Sequence, residues 1–314
     1  MNKTDLINKI IAGYAADLNA RRAAIAARLQ LERANPDFAA IERTLNDLYI
    51  EHARCRHSDL LPKIASLEKQ YADYLKTHNI DTEIKYACPK CKDTGWTGGV
   101  LCACVRQRLH DELTAASGLT FAPDDFKDAD MNVFPVTIRE ERERLYTLMK
   151  TYCQKFPDAK YRNLFFSGGV GSGKTFLASC MANEILQRGE TVQFLTAFTF
   201  GSQCLKIHTA DLGEREDLLA PLLDPALLIL DDLGTEPILN NVTVEYLYLV
   251  LNERLTAGKH TILTTNLSPA DFLARYGSRV FSRALDRRST YAVQFDGPDL
   301  RLTNGKRKTE NGKI

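Results

Sequence analysis

The sequence predicts an α/β fold, a parallel β-sheet with helices on both faces, preceded by a helical region and a small cysteine segment. Three observations lead there. From about residue 136 to 300, short apolar runs alternate with helix-length stretches, the pattern of βα units and so of a parallel sheet. Between one such run, Leu164-Phe165-Phe166, and a helical stretch from Phe176 to Arg188 lies Gly168-Gly169-Val170-Gly171-Ser172-Gly173-Lys174-Thr175. That is a phosphate-binding loop in the strand–loop–helix context it requires. Finally, the composition changes character near residues 85 and 110.

The chain has 314 residues, enough for about two domains. Its hydrophobic content of 44% supplies a core, and a net charge of +1 gives no whole-molecule attraction to nucleic acid. Residues 1–84 carry apolar side chains at helical spacing: Ile7, Ile10, Ile11, Tyr14 and Leu18, then Ile41, Leu45 and Leu48, then Leu60, Ile64, Leu67, Tyr71 and Tyr74. Asn35-Pro36 reads as an N-cap followed by proline at the first helical position, and Asp59 and Pro62 mark another restart. Two or three long amphipathic helices in a hairpin or coiled coil are expected. Such a region is either a solubilising bundle or a docking arm for another protein.

Residues 85–109 hold Cys88-Pro89-Lys90-Cys91, then Gly95, Gly98 and Gly99, then Cys102-Ala103-Cys104. Four thiolates around a glycine-containing hairpin suit tetrahedral Zn²⁺, and a segment this short has little core to hold it otherwise. Cys55, Cys153, Cys180 and Cys204 are isolated and read as ordinary thiols. Residues 110–135 read as a helix and linker. In 136–300, strands are expected at Asn163–Ser167, Thr191–Thr196, Ala226–Asp231, His260–Thr265 and Tyr291–Phe295. Residues 301–314 form a polar tail with Lys306-Arg307-Lys308, expected to be disordered. Lys3, Asp5, Lys9 and Asp17 break up any secretory apolar region, and no run reaches membrane-spanning length. A cytoplasmic protein without a membrane partner is expected.

The glycines of the loop from Gly168 to Gly173 let successive N–H groups converge on one anion, and the following helix adds its positive end. Lys174 can reach the β- and γ-phosphates of ATP, and Thr175 can ligate Mg²⁺. Leu227-Leu228-Ile229-Leu230-Asp231-Asp232 is a buried strand ending in two carboxylates, at the sheet edge where such folds hold ligands. Asp231 is expected to bind Mg²⁺ through water, and Asp232 to orient or deprotonate the attacking water. Asn266, after Ile262-Leu263-Thr264-Thr265, is placed to meet the γ-phosphate or that water. Arg279, Arg283 and Arg287 recur every four residues, which on a helix gives one basic face. An arginine there can also stabilise charge developing in a neighbouring subunit's site. Arg301 can touch nucleotide within its own chain.

Together these features resemble the bacterial and phage helicase loaders of the DnaC/DnaI type, within the AAA+ ATPases and close to the IstB-like transposition helpers. The resemblance covers roughly residues 120–301 and rests on GGVGSGKT, LLILDDLGTE, ILTTNLS and GSRVFSRALDRR in that order. It implies that Lys174 and Thr175 are the Walker A pair, Asp231 and Asp232 the Walker B pair, and Asn266 sensor 1. Arg283 then corresponds to the arginine finger and Arg301 to a reduced sensor 2. It also implies an AAA+ sheet over 136–300 and a slow, switch-like ATPase that self-associates, contacts single-stranded DNA and serves a DnaB-type helicase hexamer. The N-terminal arm would grip that helicase. Two departures stand out: Asp232 replaces the glutamate of the broader AAA+ pattern, and few residues follow Phe295 for a helical lid. Between the Walker motifs, Phe198, Phe200 and Lys206 can stack on bases or pair with phosphates, or serve as core and surface residues. The alternative readings are an IstB-like transposase helper and an adaptor that binds ATP without turnover.

Overall fold

The computed structural model describes residues 3–55, 57–119 and 124–302. The chain separates into two compact units that meet in sequence between Val105 and Arg106.

The N-terminal unit begins with helices α1 (Lys3–Glu32), α2 (Pro36–Cys55) and α3 (Leu61–Thr77). Asn35 Oδ1 accepts the Asp37 N–H at 3.0 Å, so the expected cap before Pro36 is present. Helices α2 and α3 form an antiparallel hairpin. Phe38, near the start of α2, packs with Leu75 and Ile80, while Leu45 packs with Leu60 and Ile64. On α1 the buried stripe is Leu6, Ile10, Tyr14 and Leu18, with Ile7 and Ile11 at its half-buried margin. Periodicity fixes an apolar face only to within about 100° of arc, which is why the stripe lies one residue from its expected place.

The cysteine segment folds around a two-residue turn at Gly98–Gly99, which joins strands β1 (Trp96–Thr97) and β2 (Val100–Leu101). Helix α4 (Ala103–Ala116) starts within the segment, earlier than the helix expected from residue 110. The second cysteine pair therefore straddles a helix start.

In the second unit, α5 (Val136–Lys155) precedes β3 (Asn163–Gly168), α6 (Lys174–Gln187), β4 (Val192–Thr196), α7 (Ala197–Thr209) and α8 (Arg215–Leu223). There follow β5 (Leu227–Leu233), α9 (Thr243–Thr256), β6 (His260–Thr265), α10 (Pro269–Ala284) and β7 (Thr290–Phe295). All five expected strands are present, in one parallel sheet ordered β4-β5-β6-β3-β7. Because strand residues alternate between faces, Phe165, Leu228, Leu230 and Leu263 join the core shared with Phe200, Leu247, Phe272 and Val280 of α7, α9 and α10. Helices α5 and α6 cover the other face.

Helix α10 ends at Ala284, and Arg287 lies in the turn beyond it. The basic face expected from Arg279, Arg283 and Arg287 is therefore reduced to the first two. The tail residues 303–314, with Lys306-Arg307-Lys308, lie outside the described residues. Among the described residues no helix is long and apolar enough to cross a membrane.

Candidate nucleotide site and cysteine cluster

Strand β3 ends at Gly168, and α6 starts at Lys174, two residues before the expected position. Gly171, at the crest between them, has φ +69°, and a Cβ there would stand 1.7 Å from Asp299 Oδ1. Only glycine fits. Leu300 N–H donates to Gly171 O at 3.0 Å, so the chain beyond β7 clasps the loop.

Lys174 is buried, and its ammonium donates to Gly168 O (2.9 Å), Gly169 O (2.7 Å) and Asn266 Oδ1 (2.7 Å). Burial lowers its pKa from the usual lysine value, partly countered by Asp232 and Asp231. Its acceptors among these groups are neutral oxygens, so a cation is held inside the loop for an anion to meet. Thr175 Oγ1 donates to both oxygens of Asp231, at 3.0 and 3.1 Å. Thr264 Oγ1 donates to Asp231 Oδ1 at 2.7 Å. Burial raises the Asp231 pKa, while the Thr264 and Thr175 hydroxyls oppose that shift.

Asp232 sits at φ +60°, a left-handed conformation that costs an L-residue roughly 1–2 kcal/mol. The β5–β6 ladder is interrupted between Leu230 and Leu233, and Thr264 Oγ1 accepts the Asp232 N–H at 2.8 Å. This irregularity carries β5 to Leu233, past the expected end at Asp231, and re-aims the two carboxylates. Asn266 Nδ2 donates to Asp232 Oδ1 at 2.6 Å while its oxygen faces Lys174, so one amide bridges the loop lysine and the second carboxylate.

These groups border one cavity of about 510 Å³, lined by Val170–Phe176, Asp231, Asp232, Asn266, Leu300 and Arg301 on one side. Its remaining wall is Asp128–Met131, Val133, Phe134 and Tyr146. The structure thus brings together Lys174, Thr175, Asp231, Asp232, Asn266 and Arg301. Arg283 stands apart: its Nε donates to Asn252 Oδ1 of α9 at 2.9 Å, and it does not line the cavity. Phe198 is exposed, whereas Phe200 is fully buried and belongs to the core.

Sequence reasoning missed Thr264 and the wall from Asp128 to Phe134. Thr264 is one of three threonines in β6, so its residue type alone did not single it out. The wall is built from two short 3-10 turns, Phe126–Asp128 and Met131–Val133, which leave no periodicity to read.

The four sulfurs of Cys88, Cys91, Cys102 and Cys104 lie within 4.8 Å of one another. Two of the pairs, Cys88–Cys102 and Cys91–Cys104, stand at 3.9 and 3.6 Å. Tetrahedral Zn–S bonds of about 2.3 Å imply S···S separations of about 3.8 Å, so the donor set fits zinc in kind and spacing. Asp93 braces the first knuckle by accepting the N–H groups of Ala87 (3.0 Å) and Cys88 (2.8 Å), and pairs with Arg21 at 2.9 Å.

In this sheet the loop-bearing strand β3 is separated from the acidic strand β5 by β6, whose tip supplies Asn266. That order, with the cavity at its switch point, defines a P-loop ATP-binding protein of the AAA+ class. A family model described as "IstB-like ATP binding protein" matches residues 143–308, more than half of the chain. The chain belongs to this family. It is similar to the phage-like element PBSX protein XkdC of Bacillus subtilis (strain 168), 26% identical over 237 residues, covering 70% of this chain and 86% of that protein. It is also similar to the replicative helicase loader DnaC of Escherichia coli (strain K12), 28% identical over 136 residues, covering 43% and 54%. The insertion sequence IS5376 putative ATP-binding protein of Geobacillus stearothermophilus is 32% identical over 162 residues, covering 50% and 62%. The chain therefore spans about half to three-fifths of the last two proteins. These likenesses support an IstB-like AAA+ protein that binds ATP.

Proposed function

We propose that this chain is an ATP-hydrolysing loader that delivers a hexameric replicative DNA helicase onto single-stranded DNA. The observation that carries the reading is the joining of a complete P-loop site to a separate helical and cysteine-bearing unit. An ATPase that serves a partner needs such a second unit; the P-loop chemistry does not. Residues 1–84 are the docking arm, residues 85–109 the zinc segment and residues 136–300 the ATPase. Similarity to a protein named a replicative helicase loader supports the choice of partner.

In this reading the amides of the loop from Gly168 to Gly173 and the Lys174 ammonium bind the β- and γ-phosphates. Thr175 and Asp231, already within hydrogen-bond distance, are hard oxygen donors suited to Mg²⁺. When bound, that ion supplies charge neutralisation on the phosphates. Asp232, fixed by Asn266, orients the attacking water. Arg301 meets the phosphates from within the chain, and Arg283 meets those of a neighbouring subunit. The shorter carboxylate at Asp232 suits a slow switch. Exposed Phe198 is available to a nucleobase.

A pull-down from host lysate, with and without ATP, tests the reading. Recovery of the replicative helicase in a nucleotide-dependent manner is expected; recovery of neither helicase nor transposase in either condition would reject it. Recovery of a transposase instead would favour the second reading, a transposase-helper ATPase, to which the insertion-sequence relative at 32% identity lends support.

Protein purified without added metal is expected to carry about one zinc ion per chain, held by Cys88, Cys91, Cys102 and Cys104. Elemental analysis decides it, and a metal-free preparation that is fully folded would remove zinc from the proposal.

A further inference from the structure

The loop after Asp232 continues as Leu233-Gly234-Thr235-Glu236, and Glu236 turns inward. The residue is 1% exposed. One carboxylate oxygen accepts the Gly234 N–H at 2.9 Å, and the other accepts the Tyr276 hydroxyl. Arg275 donates from Nη2 to the Glu236 backbone oxygen, and its Nε lies 3.9 Å from the carboxylate. A carboxylate buried this deeply persists only when charge and hydrogen bonds satisfy it. Here the Tyr276 hydroxyl and the Arg275 guanidinium both come from α10. The same loop is fastened upstream, with Thr235 Oγ1 donating to Asp232 O at 2.9 Å and Thr265 Oγ1 to Leu233 O at 2.6 Å.

Directly after Tyr276, Gly277 adopts φ 79° and ψ 169° and divides α10 in two. The second half carries Arg279 and Arg283 and lies along α9. The Arg279 guanidinium sits 4.2 Å from the Tyr248 ring centre and pairs with Glu245 at 3.9 Å, while Arg283 is held by Asn252. A series of bonds thus leads from the paired aspartates through Glu236 to Tyr276 and Arg275, immediately before the break at Gly277 that precedes the arginines. We propose that Glu236, Tyr276 and Arg275 form a positioning cluster. It sets the arginine half of α10 according to the geometry of the loop after Asp232, so that one subunit's site governs the arginine it offers to the next. This rests on the proposed role of Arg283 in a neighbour's site. Mere proximity does not establish such coupling; a shared, discrete contact that both ends bias does.

Tyr276→Phe deletes the hydroxyl donor and keeps the ring. The variant is expected to bind a fluorescent ATP analogue, and to show a KM, within about twofold of the original, with kcat about tenfold lower. Combined with Arg283→Ala it is expected to cause no further loss, because both act through one group. If Tyr276→Phe leaves kcat unchanged, or the two losses multiply, the link is overturned while the role of Arg283 stands. If Arg283→Ala alone leaves turnover unchanged, the role of Arg283 falls and takes the link with it. Glu236→Gln keeps the shape and must show the same loss of kcat at constant KM. A lowered melting temperature with intact kcat in both variants overturns the proposal in favour of fold maintenance.

Discussion

Replacing Arg283 by alanine is expected to leave ATP binding nearly unchanged and to abolish most of its hydrolysis. The guanidinium lies outside its own cavity, so binding in the same chain does not depend on it. Turnover does, if the group reaches the next subunit and stabilises the charge that develops as the γ-phosphoryl leaves. Arginines supplied in trans are worth about three to five orders of magnitude in fast systems, and a slow switch shows less. A solvated basic residue would leave turnover nearly unchanged. Mixing variants tests the geometry. A Lys174→Ala subunit lacks the phosphate-binding cation yet still offers Arg283, and an Arg283→Ala subunit has an intact loop. Together they are expected to recover activity that neither shows alone. No recovery in a mixture shown to co-assemble would leave Arg283 as a cis or structural residue.

Lys174→Ala is expected to remove most triphosphate affinity without unfolding the chain. The ammonium is buried against neutral oxygens, so its charge is matched fully only when phosphate arrives. Losing charge-assisted hydrogen bonds worth about 1.5–3 kcal/mol each weakens binding by about two to three orders of magnitude. Burial lowers the Lys174 pKa below its unfolded value, so the charged form is disfavoured by folding at neutral pH. The melting temperature of the nucleotide-free variant is expected to change little, because relief of the buried charge offsets the hydrogen bonds lost to Gly168, Gly169 and Asn266. Titration with a fluorescent ATP analogue and thermal unfolding check the two halves separately. Unchanged binding would remove Lys174 from the phosphate site.

Much of the ATPase fold was readable because the features that build it are local. Strands β3 and β5 carry the apolar runs Leu164–Phe166 and Leu227–Leu230, and the loop between β3 and α6 has glycines and a lysine at fixed offsets. The N-terminal helix breaks were equally legible at Asn35-Pro36 and Pro62. What escaped was set by tertiary context. Nothing in LLILDD announces the bulge that puts Asp232 at φ +60°, because the Thr264 hydroxyl that holds it lies 32 residues away. Repetition every four residues suggested a helical face through Arg287, but the helix ends at Ala284, where a turn over Asp286–Ser289 begins the approach to β7. The wall around Phe134 has irregular backbone, and Glu236 looked like any loop acid until α10 enclosed it.

Strand β7 is held by a single ladder, to β3, whereas β3 is held by two. Detaching β7 therefore breaks half as many strand partnerships as withdrawing the loop-bearing strand, and such edges sit at the low end of a protein's local opening energies. Yet the residues that clasp Gly171 and bring Arg301 to the cavity hang from this edge. The grip on the nucleotide is thus fastened to one of the sheet's two singly paired margins. Transient fraying there loosens the loop without disturbing the centre of the sheet, and a ligand that engages Arg301 lends its own binding free energy to a singly paired edge.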